Sequence, residues 1–192
     1  MTVSEKQNDT RTIIASQTDP GFVKEVASWV DINPGTCLTC LMCSGGCPFF
    51  QAMDYGPHGV MRLIQYGLRR AALESNTIWL CVGCHTCSYV CPMAIDVAAV
   101  MDVLKQMALA EGVPIAQQSI LDFHREVLDS VKKYGRTHKL EIMLRYKVRR
   151  RTWFQDMDIG LKMLAKRRLD LRPSKIKDPK TLKQLFSRNW KR

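Results

Sequence analysis

Residues 37–48 read CLTCLMCSGGCP, and residues 81–92 read CVGCHTCSYVCP. Both follow the pattern C-x2-C-x2-C-x3-C-P, so one motif occurs twice and uses all eight cysteines of a 192-residue chain. A cubane 4Fe–4S cluster has four irons at tetrahedral corners, and each takes one thiolate. Cysteines three apart on a turning loop can reach three corners of one cube. The fourth cysteine, four residues further on, begins to leave that loop. Pro48 and Pro92 follow it directly; each fixes φ and removes a donor, which turns the chain away. Gly45 and Gly46 are expected to permit close backbone approach and to leave amides free near the sulfurs. The competing readings are two four-thiolate zinc sites or a disulfide framework. Zinc sites use two C-x2-C pairs far apart, with no third cysteine three residues on. Two complete copies, with both prolines and no cysteine left over, favour two 4Fe–4S clusters.

The N-terminus, MTVSEKQNDTRTIIASQTDP, mixes acidic and basic residues and lacks the apolar core of a signal peptide. A cytoplasmic, reducing location is therefore expected, where clustered cysteines serve metals more often than disulfides. No window approaches the roughly 18 to 20 apolar residues of a membrane span. The net charge of +11 is unevenly placed: residues 132–192 hold 21 Lys/Arg and 5 Asp/Glu, whereas residues 1–131 carry a net −5. The chain thus reads as an acidic cysteine-bearing body with a basic tail.

Working outward from the cysteines, the periodicity is helical throughout and no strand pattern of useful length occurs. Residues 1–20 read as an extended arm. Phe22, Val23, Val26, Trp29 and Val30 are spaced for a short helix, which Asn33-Pro34-Gly35 ends. Between the motifs, Val60, Leu63, Ile64, Leu68 and Ala71 form one apolar stripe, with Arg62, Arg69 and Arg70 on the opposite face. Residues 96–111 form a strong helix: Asp96 caps it, Val97, Val100, Met101, Leu104, Met107 and Ala108 make its apolar face, and Gly112 stops it. Residues 114–134 are expected to form another, with Pro114 in its first turn, a stripe of Ile120, Phe123, Val127, Leu128 and Val131, and Gly135 as its stop. Leu140–Arg151 and Asp156–Leu169 look amphipathic, and a last short helix is expected near Leu182–Phe186. The expected division is an arm at 1–20, a cysteine-bearing domain at 21–135 and a basic helical extension at 136–192.

Other residues carry weaker signals. His85 lies inside the second motif and reads as a loop residue, with proton-coupled tuning as the sharper alternative. His58, His124 and His138 show no ligand spacing. Trp79 and Tyr89 flank the second motif and read as core packing that also shields a cluster. Met101 and Met107 read as core. There is no glycine fingerprint for flavin or nicotinamide, no P-loop, no nucleophile elbow and no metalloprotease motif. The chain is therefore expected to carry single electrons and to have no catalytic residue of its own.

The two motifs are similar to the bacterial ferredoxin run, in which the fourth cysteine ligates the other cluster. That resemblance assigns Cys37, Cys40, Cys43 and Cys91 to cluster 1, and Cys81, Cys84, Cys87 and Cys47 to cluster 2. With a helical linker of 33 residues (48–80), the pair resembles the α-helical ferredoxin domain found in iron–sulfur subunits of succinate dehydrogenases, glycolate oxidases and heterodisulfide reductases. The 36 residues before Cys37 are too few for the plant-type ferredoxin domain of the first group. The Cys-Cys pair of the fused domain in the second group is absent. The segment WLCVGCHTCSYVCP, the single domain and the tail containing GLKMLAKRRLDLRPSKIKD are similar to the family of heterodisulfide reductase C subunits. The resemblance implies a mostly α fold, two 4Fe–4S clusters, and electron relay between two partners. One partner would be a flavin-containing protein like the A subunits of those enzymes. The other would be a cysteine-rich, disulfide-active protein like their B subunits. The resemblance covers methanogen enzymes and complexes of bacterial sulfur oxidation, with a lean towards the latter kind. A free-standing two-cluster ferredoxin-like carrier, or an iron–sulfur subunit of another oxidoreductase complex, is the alternative.

For the basic tail, docking on acidic partner subunits is the favoured reading. A solvated surface and peripheral contact with an anionic membrane through the amphipathic helices follow. Nucleic acid ranks last, since no helix-turn-helix pattern supports it, and no nucleic-acid partner is expected.

Overall fold

The computed structural model describes residues 18–30, 32–150, 166, 176, 182 and 186. The expected arm, and the expected segments 156–169 and 182–186, lie largely outside these. Among the described residues there are helices and short 3-10 turns and no strand, as the periodicity requires. The helices are α1 (Phe22–Val30), α2 (Met42–Gly45), α3 (Pro57–Gln65), α4 (Arg69–Leu73), α5 (Asn76–Leu80), α6 (Thr86–Tyr89), α7 (Val97–Glu111), α8 (Gln118–Tyr134) and α9 (Lys139–Arg150). None of them is long and apolar enough to cross a membrane. The fold separates into two compact units, one ending at Ala116 and one beginning at Gln117. This boundary falls earlier than the one expected after residue 135.

In the first unit α7 is the central element, and α1, α4, α5 and α6 pack on it. Its buried residues extend beyond the expected stripe to Ala98 and Val103, because neighbours cover it on more than one side. Asp96 caps it by accepting the Ala99 N–H at 3.1 Å. Gly112 ends it with φ +65°, a left-handed conformation that costs glycine little. Val60, Met61 and Ile64 of α3, Phe22 and Val26 of α1, and Ile78 and Trp79 of α5 complete the core.

The stripe read between the motifs is not one helix. α3 stops at Gln65, and Gly67 takes φ +67° with its carbonyl accepting the Asp19 N–H at 2.8 Å. A Cβ there would lie 2.4 Å from the Asp19 carbonyl oxygen, so the crossing of these two backbone segments requires glycine. The phase resets at this break, and Ala72 and Leu73 fill the core in place of Leu68 and Ala71, which are only half-buried.

Arg69 is expected from the periodicity on the charged face opposite the apolar stripe. It is instead the tie of the first unit. Its guanidinium donates to Glu25 at 2.5 and 3.1 Å, to Glu111 at 2.5 and 2.9 Å and to Asp19 at 3.2 Å. It also lies over the Phe22 ring, 5.2 Å from the centroid. Its hydrogen bond holds the Glu25 carboxyl below the usual carboxylate range. Arg69→Ala is expected to cost about 2 kcal/mol, the scale of charge-assisted bonds discounted for partial exposure. Because Glu25 binds protons more weakly when folded, its contribution is present above the ordinary carboxylate range and is lost as pH falls through its lowered value. Thermal melts at neutral pH and near pH 4 check this. The gap between parent and Arg69→Ala should narrow at the lower pH.

The second unit is an antiparallel hairpin of α8 and α9. Gly135 stops α8 with φ +75°, as read. Two other expectations need correction. The helix starts at Gln118, and Pro114 lies in the loop before it. The face that packs is not the apolar stripe: Leu121, Asp122, Glu126 and Ser130 are buried, whereas Phe123 and Leu128 are exposed. The cause is α9, which sets Arg145 and Arg149 one turn apart against those carboxylates. Arg149 pairs with Glu126 at 3.0 Å, and Arg145 with Glu126 at 2.8 Å and Asp129 at 3.4 Å. Two cations of the basic tail are thus engaged within the chain.

Candidate iron–sulfur centre

The two cysteine runs fold alike. Each first cysteine follows a helical turn, its N–H bonded to Pro34 O at 3.3 Å for Cys37 and to Thr77 O at 3.1 Å for Cys81. The backbone then turns left-handed at the same two places: Thr39 (φ 56°) matches Gly83 (φ 64°), and Leu41 (φ 67°) matches His85 (φ 58°). These turns wrap the loop around a point, so thiols three residues apart face a common centre. Three of the four are not glycine, and each such residue stores about 1–2 kcal/mol that surrounding structure must hold down. One-turn helices α2 and α6 follow in the same register and pack on each other.

The residue after the third cysteine is serine in both runs, and it was missed from the sequence. Ser44 Oγ accepts the backbone N–H of His58 at 3.1 Å and bonds His58 Nδ1 at 2.7 Å. Ser88 Oγ accepts the backbone N–H of Ala98 at 3.1 Å and donates to Asp96 Oδ1 at 2.6 Å. His58 and Ala98 are the second residues of α3 and α7, so each serine satisfies a free amide at a helix start. It thereby clamps its cysteine loop to the helix that follows. The signal available in the sequence was the repeated Cys-Ser pair.

The eight thiols line two hollows, four to each. One is lined by Cys37, Cys40, Cys43 and Cys91, with His58, Met61 and Ile95. The other is lined by Cys47, Cys81, Cys84 and Cys87, with Met53 and Met101. Each hollow therefore takes three thiols from one run and the last from the other. Cys40 and Cys84, the second cysteine of each run, are exposed, and Cys43 is buried. Burial pushes the Cys43, Cys81 and Cys87 thiols up, whereas the Thr86 hydroxyl bonded to Cys84 lowers it. A buried thiolate there needs a metal's positive charge. Among the described residues no three His, Cys, Asp or Glu side chains converge to hold a single metal ion. Four thiols around each hollow supply the donor set of a 4Fe–4S cluster, one thiolate for each iron.

The flanking residues divide. Met101 and Met107 are core, as read, and Met101 also lines the second hollow. Trp79 is buried with its indole N–H unpartnered. Tyr89 is 93% exposed, so it neither packs nor shields. A four-residue helix leaves it on the outer side. Gly45 and Gly46 keep ordinary φ, so they are not needed for left-handed turns. A Cβ on Gly46 would stand 3.3 Å from the Thr86 methyl, and one on Gly45 would meet nothing within 4 Å. His58, set aside in the sequence, lines the first hollow, and burial together with the nearby Arg62 charge lowers its pKa. His85 Nδ1 stands 3.5 Å from Asp96 Oδ1.

A helical scaffold carrying two such four-cysteine sets is that of a dicluster iron–sulfur protein. Residues 36–96 match the 4Fe–4S dicluster domain family. The chain is 33% identical over 79 residues to the C subunit of ferredoxin:CoB-CoM heterodisulfide reductase from Methanosarcina acetivorans, covering 41% of this chain and 32% of that one. It is 26% identical over 102 residues to the iron–sulfur C subunit of CoB–CoM heterodisulfide reductase from Methanopyrus kandleri, covering 49% and 53%. With the C2 subunit of H(2)/formate:CoB-CoM heterodisulfide,ferredoxin reductase from Methanococcus maripaludis the identity is 28% over 106 residues, covering 51% and 57%. The chain thus spans from about a third to little more than half the length of these relatives. Residues 36–96 are thus a 4Fe–4S dicluster domain, and the chain is a distant homologue of proteins named as C subunits of heterodisulfide reductases.

Proposed function

We propose that this chain is the electron-relay subunit of a heterodisulfide-reductase-like complex, standing between a flavin-containing protein and a cysteine-rich, disulfide-active one. Cluster 1 is held by Cys37, Cys40, Cys43 and Cys91, and cluster 2 by Cys81, Cys84, Cys87 and Cys47. The observation that carries this reading is the pair of hollows, each lined by four thiols drawn from both runs. A bound 4Fe–4S cluster supplies one-electron redox chemistry. The protein's part is to hold, space and cover. The exchanged fourth cysteines staple the runs together and keep the two sites adjacent. Met53, Met61, Met101 and Ile95 keep water from their inner sides. Cys40 and Cys84 bring each site to the surface at equivalent places, so one site can face a donor and the other an acceptor. The basic stretch 136–192 docks on acidic partner surfaces, less the charge that Arg145 and Arg149 engage within the chain.

The test is isolation of the tagged full chain from its native cells without oxygen. The expected result is a stable assembly with a flavin protein and a cysteine-rich protein, and about eight irons per copy of this chain. A brown 22 kDa protein on its own would replace the relay role with that of a free carrier. A colourless protein containing zinc would end the cluster reading itself.

A further inference from the structure

The likeness of the two halves continues past the serines. α3 begins at Pro57 and α7 at Val97, and the second residue of each is clamped by the serine of the preceding run. The ninth residue of each reaches back to the start of that same run. Gln65 Nε2 donates to the Cys37 carbonyl at 2.8 Å and to the Gly35 carbonyl at 3.2 Å. Lys105 Nζ donates to the Cys81 carbonyl at 3.1 Å. The two residues are structural equivalents, each anchoring the peptide of its run's first cysteine. One is a neutral amide and the other an ammonium.

That difference is electrostatic. A 4Fe–4S cluster becomes more negative by one charge on reduction, so a fixed cation nearby favours the reduced state. The Lys105 side chain is 15% exposed, whereas its counter-ion Asp102, at 2.9 Å, is 60% exposed. Water screens the carboxylate more than the ammonium, which leaves a positive field at the Cys81 peptide. The first run has a cation of its own in Arg62, but it donates to the Thr39 hydroxyl at 3.3 Å and to the Tyr66 hydroxyl, and not to a ligand's peptide.

We propose that Gln65 and Lys105 are paired positioning residues of the two cluster sites, and that the Lys105 charge raises the reduction potential of the second site alone. The inference rests on the proposed function only for which four cysteines share a site. The test is a redox titration of the full-length, cluster-loaded protein followed by electron paramagnetic resonance, with the second-site signal identified as the one changed in Cys84→Ser.

Lys105→Gln copies the anchor found at Gln65, and should keep both clusters while shifting the second-site midpoint downward and leaving the first unmoved. Lys105→Arg should restore the parent value. Gln65→Lys should shift the first-site midpoint upward. Both clusters present with neither midpoint moved by Lys105→Gln, or both moved alike, would overturn the proposal. If Lys105→Gln does not retain the second cluster, Gln65→Lys decides: an upward shift at the first site supports the pairing, and no shift sinks it. The ligand assignment fails separately, if Cys47→Ser changes the signal that Cys37→Ser changes instead of the one that Cys84→Ser changes.

Discussion

Cys91→Ser is expected to remove or degrade the cluster of the first run, Cys37, Cys40 and Cys43, and to spare the cluster of its own run. Cys47→Ser is expected to do the reverse. The reason is placement: Cys91 lines the hollow of the first run, and Cys47 that of the second. A serine oxygen is a harder and poorer ligand for iron in a cluster than a thiolate. Iron and labile sulfide should fall towards about half of the parent value in each variant, because one site of two is affected. The two variants should lose different signals in reduced-state spectra. Stability should fall as well, since binding free energy at such a site is folding free energy and the exchanged cysteine also joins the runs. Loss of the second run's signal in Cys91→Ser would refute the exchanged assignment.

Replacing Arg145 and Arg149 together by alanine is expected to destabilise the α8–α9 hairpin by about 3 kcal/mol, the lower end of the range for stranding a buried charge. Glu126 is 2% exposed, and these arginines are its ion-pair partners. Its Oε2 has no hydrogen bond of good geometry despite the 2.8 Å approach of Arg145 Nε, so the contact there is mainly between charges. Both arginines are partly exposed, which places the cost low in the range. Adding Glu126→Leu to the double variant should recover most of the loss, because an apolar side chain needs no partner. Thermal unfolding followed by circular dichroism gives the stability order, and amide exchange locates it in α8 and α9. Iron content should stay at the parent value. A double variant as stable as the parent would show that the buried carboxylate is tolerated without its arginines.

These two predictions draw on different levels of the molecule. The cysteine runs and α7 were legible because their information is local. A cluster needs thiols at fixed short spacings, and Asp96, the apolar positions of α7 and Gly112 define a helix without reference to anything distant. The stops at Gly67 and Gly135 are local too, although Gly67 was read through as part of one stripe. Periodicity tells which face of a helix is apolar, but not which face another element will cover. The α8 face was decided by Arg145 and Arg149 on α9, so acids are buried there and Phe123 is exposed.

The same holds around the clusters. The sequence by itself determined two four-cysteine sets of the 4Fe–4S kind and a helical frame. The grouping of Cys91 with the first run was reached only by likeness to ferredoxins, and whether any two runs lie close enough to exchange a ligand depends on packing. Only the tertiary structure decided that Ser44 and Ser88 clamp the loops, that Gln65 and Lys105 occupy equivalent places, and that Arg69 ties Asp19, Glu25 and Glu111. Each of these contacts joins residues at least eight positions apart. No local pattern encodes such a meeting, because it follows from how helices already formed bury their apolar faces on α7.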